Sequence, residues 1–224
     1  VKIFVAIPVY DGKLQHQTVN CLILEQAIAV SLGDELIPCF APYSSAPHLG
    51  RNQLVQSFLD SGCERMVFLD SDITFEPGAL IKLARRPEEF VAGCTRHKSE
   101  DESYPIWWLP NKELWANKSG LLEIDKIGLA LAAVSRSVFE QIRLKHPGRE
   151  TEFRGQVTTC FFEMPFRDGE LFGEDTYFCK LWRDSGGKIF LDPELEITHW
   201  HFAQAFVGHI GKWLKNRPQE MEQT

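Results

Sequence analysis

The chain has 224 residues, 44% of them hydrophobic and 25% charged, the balance of an ordinary globular protein of about one domain. Its net charge of -7 gives no overall attraction to nucleic acid or anionic membrane, although Arg85-Arg86 and Arg96-His97-Lys98 can form local basic patches. No apolar run reaches membrane-spanning length, and the opening Val1-Lys2-Ile3-Phe4-Val5-Ala6-Ile7 is too short for a signal peptide. The six cysteines are scattered, without a Cys-x-x-Cys pair, and are expected to be buried thiols in a reducing compartment, the cytoplasm by default.

In chain order, the first strand spans 2–8. The helix expected over 15–32 carries Val19, Leu22, Ile23, Ala27 and Val30 at helical spacing and is ended by Gly33-Asp34. A short strand over 36–40 precedes a Pro- and Ser-containing loop over 41–50. A second helix, 51–61, presents Leu54, Val55, Phe58 and Leu59 on one face and is closed by Gly62. The strand Met66-Val67-Phe68-Leu69 follows, so the start reads β-α-β-α-β, the pattern of a parallel sheet with right-handed crossovers. Beyond it, a short helix is expected over 78–84, a strand over 90–94 and a mobile loop over 95–109. Paired strands are expected over 121–131 and 132–134, and a helix over 135–142. A charged loop over 145–155 precedes a helix over 174–185, a strand over 188–192 and an extended piece over 196–199. An amphipathic helix is expected over 202–214, with fraying after Asn216.

The strand at 66–69 runs into Asp70-Ser71-Asp72. Charge at that point faces the carboxyl edge of the sheet, where open α/β sheets bind ligands. Two carboxylates at a strand-to-loop corner can converge on one hard cation, Mg²⁺ or Mn²⁺, which in turn can grip a diphosphate. Alone, an Asp-x-Asp is more often a solvated loop with two stray acids. Four further features accompany it. Glu174-Asp175 open a helix after Gly173, where acids also suit the helix dipole. His199 follows the strand at 188–192 in His199-Trp200-His201. Gly50-Arg51-Asn52 head a helix, where a cation and backbone amides can meet phosphate. The small-residue run from Gly128 to Ser135 allows close approach to the backbone. In the loop at 95–109, Trp107 and Trp108 suit sugar rings or packing under a lid, and Arg96 and Lys98 suit a diphosphate or an anionic acceptor.

Taken in order, Phe4-Val-Ala-Ile-Pro-Val-Tyr10, Asp70-Ser71-Asp72, Glu174-Asp175 and His199 resemble the GT-A fold glycosyltransferases, the family 2 type in particular, over almost the whole chain. The resemblance implies an α/β fold with a Rossmann-like, mostly parallel sheet, helices on both faces and a small acceptor-side subregion. It implies a single domain with a nucleotide-binding half (1–95), an acceptor-binding and catalytic half (96–201) and a C-terminal helix and tail (202–224). It further implies a nucleotide-sugar donor whose diphosphate is bridged by Mn²⁺ or Mg²⁺. Asp72 and His199 would be metal ligands, and Asp70 would bind the metal or the ribose, with Ser71 beside them. Asp175 would be the base of an inverting displacement and Glu174 a partner of the acceptor or sugar. Pro8, Tyr10 and Asp11 would meet the base and ribose, Arg51, Asn52, Arg96 and Lys98 the diphosphate, and Trp107, Trp108 and Gly128 the acceptor. The stretch Ala41-Pro42-Tyr43-Ser44-Ser45 lacks the acid that often reads a uracil edge in that family, so uridine is the default base with guanosine open. The acceptor is expected to be a saccharide, with a hydroxymethylated base of phage DNA as an alternative. Nucleotidyl transfer and a non-catalytic nucleotide- or sugar-binding module are the competing readings.

Overall fold

A computed structural model describes residues 1–42, 46–110, 113–153, 155–167 and 169–216. The Tyr43-Ser44-Ser45 part of the uracil-edge segment and the chain expected to fray after Asn216 lie outside the described residues. The first half runs β1 (Lys2–Val9), α1 (His16–Ser31), β2 (Glu35–Pro42), α2 (Pro47–Ser61), β3 (Arg65–Leu69), β4 (Ile73–Phe75), α3 (Ala79–Ala84) and β5 (Phe90–Gly93). The second half continues with β6 (Ile106–Trp107), β7 (Leu122–Ile124), β8 (Lys126–Ile127), β9 (Leu131–Ser135), α4 (Arg136–Lys145), β10 (Glu150–Phe153) and β11 (Gln156–Thr159). It closes with β12 (Phe166–Arg167), β13 (Glu170–Leu171), α5 (Glu174–Asp184), β14 (Ile189–Leu191), β15 (Ile197–His201), β16 (Gln204–Gly208) and α6 (Ile210–Asn216).

The central sheet has the order β2-β1-β3-β9-β5-β14-β7. β1 is parallel to β2 and β3, β9 is antiparallel to β3 and β5, β5 is parallel to β14, and β7 is antiparallel to β14. Only β9 and β7 therefore run against the common direction, and the sheet is mostly parallel, as expected. Pro38 has no N–H to give, and it is accommodated because β2 is an edge strand.

Alternation along the inner strands divides the core between two faces. Phe4, Ala6, Met66 and Phe68 face α2, α4 and α5, whereas Ile3, Val5, Ile7, Val67 and Leu69 face α1 and α3. A run of aromatic contacts, Phe4–Phe58–Phe139–Phe178–Phe162–Phe68, fills the first face. Gly62, at φ 72°, takes the left-handed conformation that ends α2 and turns the chain into β3.

Four stretches differ from expectation. The strands of 121–135 do not pair with each other: β7 is an edge strand on β14, while β9 inserts antiparallel between β3 and β5. The charged stretch after α4 holds a hairpin, β10–β11, whose polar residues disguise it as loop. The chain after His201 turns back as β16 against β15 before a shorter α6 begins, because β15 already pairs with β4 and extends into a three-stranded sheet. The expected mobile loop at 95–109 is anchored: Tyr104 is buried against Trp213, and β6 pairs with β8.

Candidate active site

β1 and β3 pair only as far as Ala6↔Phe68, and beyond that register the two chains separate at the carboxyl edge of the sheet. The opening is a cleft of about 380 Å³ lined by Pro8, Val9, Tyr10, Pro47, Arg51, Asp70, Ser71, Asp72, Glu174, Asp175 and His199. Residues from β1, α2, the β3–β4 corner, α5 and β15 thus share one space. Pro47 and Val9 were not marked by the sequence, since nothing in their chemistry singles them out.

The acidic corner is a tight turn in which the Ile73 N–H donates to Asp70 O at 3.3 Å. It is stapled on three sides: Asp70 N–H to Ala130 O (2.9 Å), Gln15 N–H to Ser71 O (3.1 Å) and Trp200 N–H to Asp72 O (2.9 Å). The two carboxylates consequently point to different partners. Asp70 Oδ1 accepts from Arg51 Nη2 at 3.1 Å, and Arg51 Nε lies 3.8 Å from Glu174 Oε1. Asp72 Oδ2 lies 2.5 Å from Lys98 Nζ and 3.6 Å from His199 Nε2.

Burial pushes the Asp70 carboxyl above its ordinary range; Arg51 opposes this and the Asp72 and Asp175 charges reinforce it. Burial, with Asp175 beside it, likewise raises Glu174. For Asp72 burial acts in the same sense, but the contacts with His199 and Lys98 outweigh it and hold the carboxyl low. Arg51 is only 4% exposed; burial works against its charge, yet Asp70, Asp175 and Glu174 keep its pKa above the ordinary arginine value.

Asp175, in the first turn of α5, accepts the Thr176 N–H on Oδ1 at 3.1 Å and faces the Leu129 N–H with Oδ2 at 3.4 Å. Gly128 makes that approach possible, since a Cβ there would stand 3.0 Å from Pro105 and 3.5 Å from Asp175 Oδ2.

The remaining expected residues are placed around the cleft or away from it. Asn52 is turned inward: its Oδ1 accepts the Phe161 and Phe162 N–H groups and its Nδ2 donates to Phe162 O, a clamp across the aromatic core. Asp11 is exposed and caps a local turn through the Lys13 N–H. The Arg96 guanidinium donates to Ser99 O and Glu100 O, while its carbonyl meets His199 Nδ1 at 2.9 Å. Trp107 is half exposed on the β6–β8 ladder, opposite Lys126, whereas Trp108 packs on the core.

A carbonyl only accepts, so His199 Nδ1 carries a proton toward Arg96 O; in the neutral ring the Nε2 lone pair then faces Asp72. A carboxylate oxygen plus an imidazole nitrogen with its second nitrogen so tied is a chemically fitting start for Mn²⁺ or Mg²⁺. Among the described residues, no group of three His, Cys, Asp or Glu side chains is assembled for a metal. The expected trio of Asp70, Asp72 and His199 is drawn as a pair, with Asp70 committed to Arg51.

No protein-family model matches the sequence, and no curated protein sequence does. Solved structures do match. A197 from STIV aligns at a TM-score of 0.55 and 17% identity, covering 89% of this chain and 85% of that one. A structure of GalNAc-T7 with UDP, GalNAc and Mn²⁺ aligns at a TM-score of 0.55 and 13% identity, covering 89% of this chain and 43% of that one. This chain thus spans less than half of the GalNAc-T7 chain. At such identities the likeness is one of architecture, and the architecture is the GT-A-like fold.

Proposed function

We propose that the chain is a metal-assisted glycosyltransferase that moves a sugar from a nucleoside diphosphate donor, a UDP-sugar by default, to an acceptor hydroxyl. The observation that carries this reading is the gathering of Asp70, Asp72, Glu174, Asp175 and His199 in one cleft at the carboxyl edge of the sheet. The GalNAc-T7 structure with UDP, GalNAc and Mn²⁺ supports it as the ligand set of a like-folded protein.

Asp72 and His199 would hold Mn²⁺ or Mg²⁺, with Asp70 on the ribose or joining them. When bound, the cation supplies positive charge for the departing diphosphate. Pro8 and Tyr10, which line the cleft, would meet the base and ribose. Asp175 is the base: its carboxylate takes the acceptor hydroxyl proton while the acceptor oxygen bonds to the anomeric carbon. The bond from that carbon to the diphosphate oxygen breaks on the opposite side, inverting the centre. Backbone N–H groups of Leu129 and Thr176 fix the carboxylate in place. Glu174 orients acceptor or sugar, and a saccharide acceptor would enter past Gly128 and Trp107.

The test is product release from a panel of nucleotide sugars with and without Mn²⁺. Metal-dependent nucleoside diphosphate from one donor is expected. Pyrophosphate from a nucleoside triphosphate and a sugar phosphate would indicate nucleotidyl transfer, and no turnover with any donor would leave a binding module. Asp175→Asn is expected to retain donor affinity while kcat falls about 10²–10⁴-fold, the usual contribution of a positioned base. Undiminished kcat in that variant removes Asp175 from the mechanism.

A further inference from the structure

We propose that Lys98 is a tethered counter-cation that competes with the divalent metal for Asp72 and is released when a nucleoside diphosphate arrives. The inference rests on the metal-assisted reading above. Lys98 Nζ lies 2.5 Å from Asp72 Oδ2, the same oxygen that faces His199 Nε2 at 3.6 Å. A metal held between Asp72 and His199 needs that oxygen at about 2.0–2.2 Å. An ammonium at hydrogen-bonding distance from the same oxygen would then stand a few ångströms from a doubly charged ion, in a cleft that screens poorly. The two cations cannot share Oδ2 without a large repulsion, so metal entry requires the ammonium to leave.

The placement of Lys98 is built in. Arg96 Nη2 donates to Ser99 O at 2.9 Å and Glu100 O at 2.7 Å, His97 N–H donates to Ser103 O at 2.9 Å, and Ser99 Oγ donates to Asp101 O at 2.7 Å. These bonds close the loop on itself and hold its one lysine over the acidic corner. The same Arg96 orients His199 through its carbonyl at 2.9 Å. Arg96 thus aims both an imidazole and an ammonium at one carboxylate. Among the described residues, Asp72 is the only carboxylate within ion-pair distance of Lys98. Leaving Asp72 therefore costs Lys98 its partner, unless another anion is offered nearby. The diphosphate of a nucleotide is such an anion, so nucleotide and metal are expected to bind cooperatively through this side chain.

The experiment is Mn²⁺ titration of the full chain followed by the electron paramagnetic resonance of the free ion, with and without UDP. The variants are Lys98→Met, Lys98→Arg and Asp72→Ala, each checked for its thermal transition. Without UDP, Lys98→Met is expected to bind Mn²⁺ more tightly by about 5- to 150-fold, the span of typical coupling between sites, and Lys98→Arg to stay near wild type. UDP is expected to tighten Mn²⁺ binding more in wild type than in Lys98→Met. Equal or weaker Mn²⁺ binding in Lys98→Met overturns the competition. Mn²⁺ binding that survives undiminished in Asp72→Ala, or is absent from wild type and Lys98→Met alike, overturns the metal site itself.

Discussion

Glu174 is held in an environment that disfavours its own charge. It is largely buried at the start of α5, with Asp175 adjacent and the Arg51 guanidinium 3.8 Å away, and its pKa is raised chiefly by burial. A carboxyl whose pKa is raised by folding contributes stability when protonated, and that contribution is lost as pH climbs through the raised value. Above that raised value the folded chain therefore carries a destabilising charge, of the kind active sites retain for chemistry. Glu174→Gln is expected to raise the melting temperature at pH 7 by about 2–4 °C. The gain should vanish below the ordinary glutamate pKa of 4.5, where wild-type Glu174 is protonated in both states. A lower melting temperature for the variant at pH 7 would show that the ion pair with Arg51 outweighs burial. Residues of this kind were legible in the sequence because acids at the end of an apolar strand, or before a helix, have few structural duties. Asn52 was not legible in its true role: its clamp on Phe161 and Phe162 joins groups 109 and 110 positions apart. The Lys98–Asp72 contact was hidden for the same reason. The α2 helix begins at Pro47, so Gly50-Arg51-Asn52 do not head it as expected, and Asn52 sits a turn inside, where no free amide meets a phosphate.

At the scale of elements, α1 does more than cover one sheet face. Gln15 N–H, Thr18 Oγ1 and Cys21 Sγ donate in turn to the carbonyls of Ser71, Ile73 and Phe75. Glu25 then accepts the backbone N–H groups of Gly78 (2.5 Å) and Ile81 (3.1 Å), capping α3. The positions 15, 18, 21 and 25 share one side of a helix, so a single rigid element grips the whole stretch from the acidic corner to α3. Glu25 is completely buried, and its loss would leave two N–H groups without partners. Glu25→Ala is expected to cost about 1–3 kcal/mol in urea unfolding. Amide exchange should rise at Gly78 and Ile81 ahead of the central strands; unchanged exchange there would mean α3 is held by packing alone. The β-α-β-α-β start could be read because β1 and β3 are long apolar strands flanked by helices with clear breakers. β9 could not be placed, since Leu131-Ala-Ala-Val is equally apolar whichever neighbours it inserts between. The β10–β11 and β15–β16 hairpins escaped because their pairing is set by partners across a turn, and polar, half-exposed strands leave little alternation to detect.

Across the whole molecule the carboxylates whose pKa values folding shifts fall into two groups with opposite responses to acid. Asp70 and Glu174 in the cleft, and Glu25 at the start of α3, have raised pKa values, each chiefly through burial. Asp34 is the opposite case: the hydrogen bond from Arg85 at 2.7 Å, which ties the α1–β2 turn to the end of α3, draws it down to about 2. Asp192 is also lowered, since Lys82 and Arg86 overcome its burial, and it fixes α3 to the end of β14. The signs follow from linkage. As pH falls from neutral, the raised group binds protons first in the folded state, so stability increases. Below the ordinary aspartate pKa of 3.8, the unfolded chain protonates at Asp34 before the folded one does, so stability is lost as pH falls toward about 2. With a net charge of -7, relief of self-repulsion adds to the first effect. Calorimetric melting without divalent metal is therefore expected to peak on the mildly acidic side, near pH 5, and to fall steeply below about pH 4. Asp34→Asn should melt below wild type by a constant interval above pH 4, and the interval should shrink as wild type approaches pH 2. Excess Mn²⁺ at pH 7 should recover part of the acid-side gain, because a cation bound in the cleft offsets the buried negative charge that protonation removes. A melting temperature that falls steadily from pH 7 downward, with or without Mn²⁺, would mean that the paired carboxylates around α3 govern the response and that the crowded charges of the cleft cost the fold little.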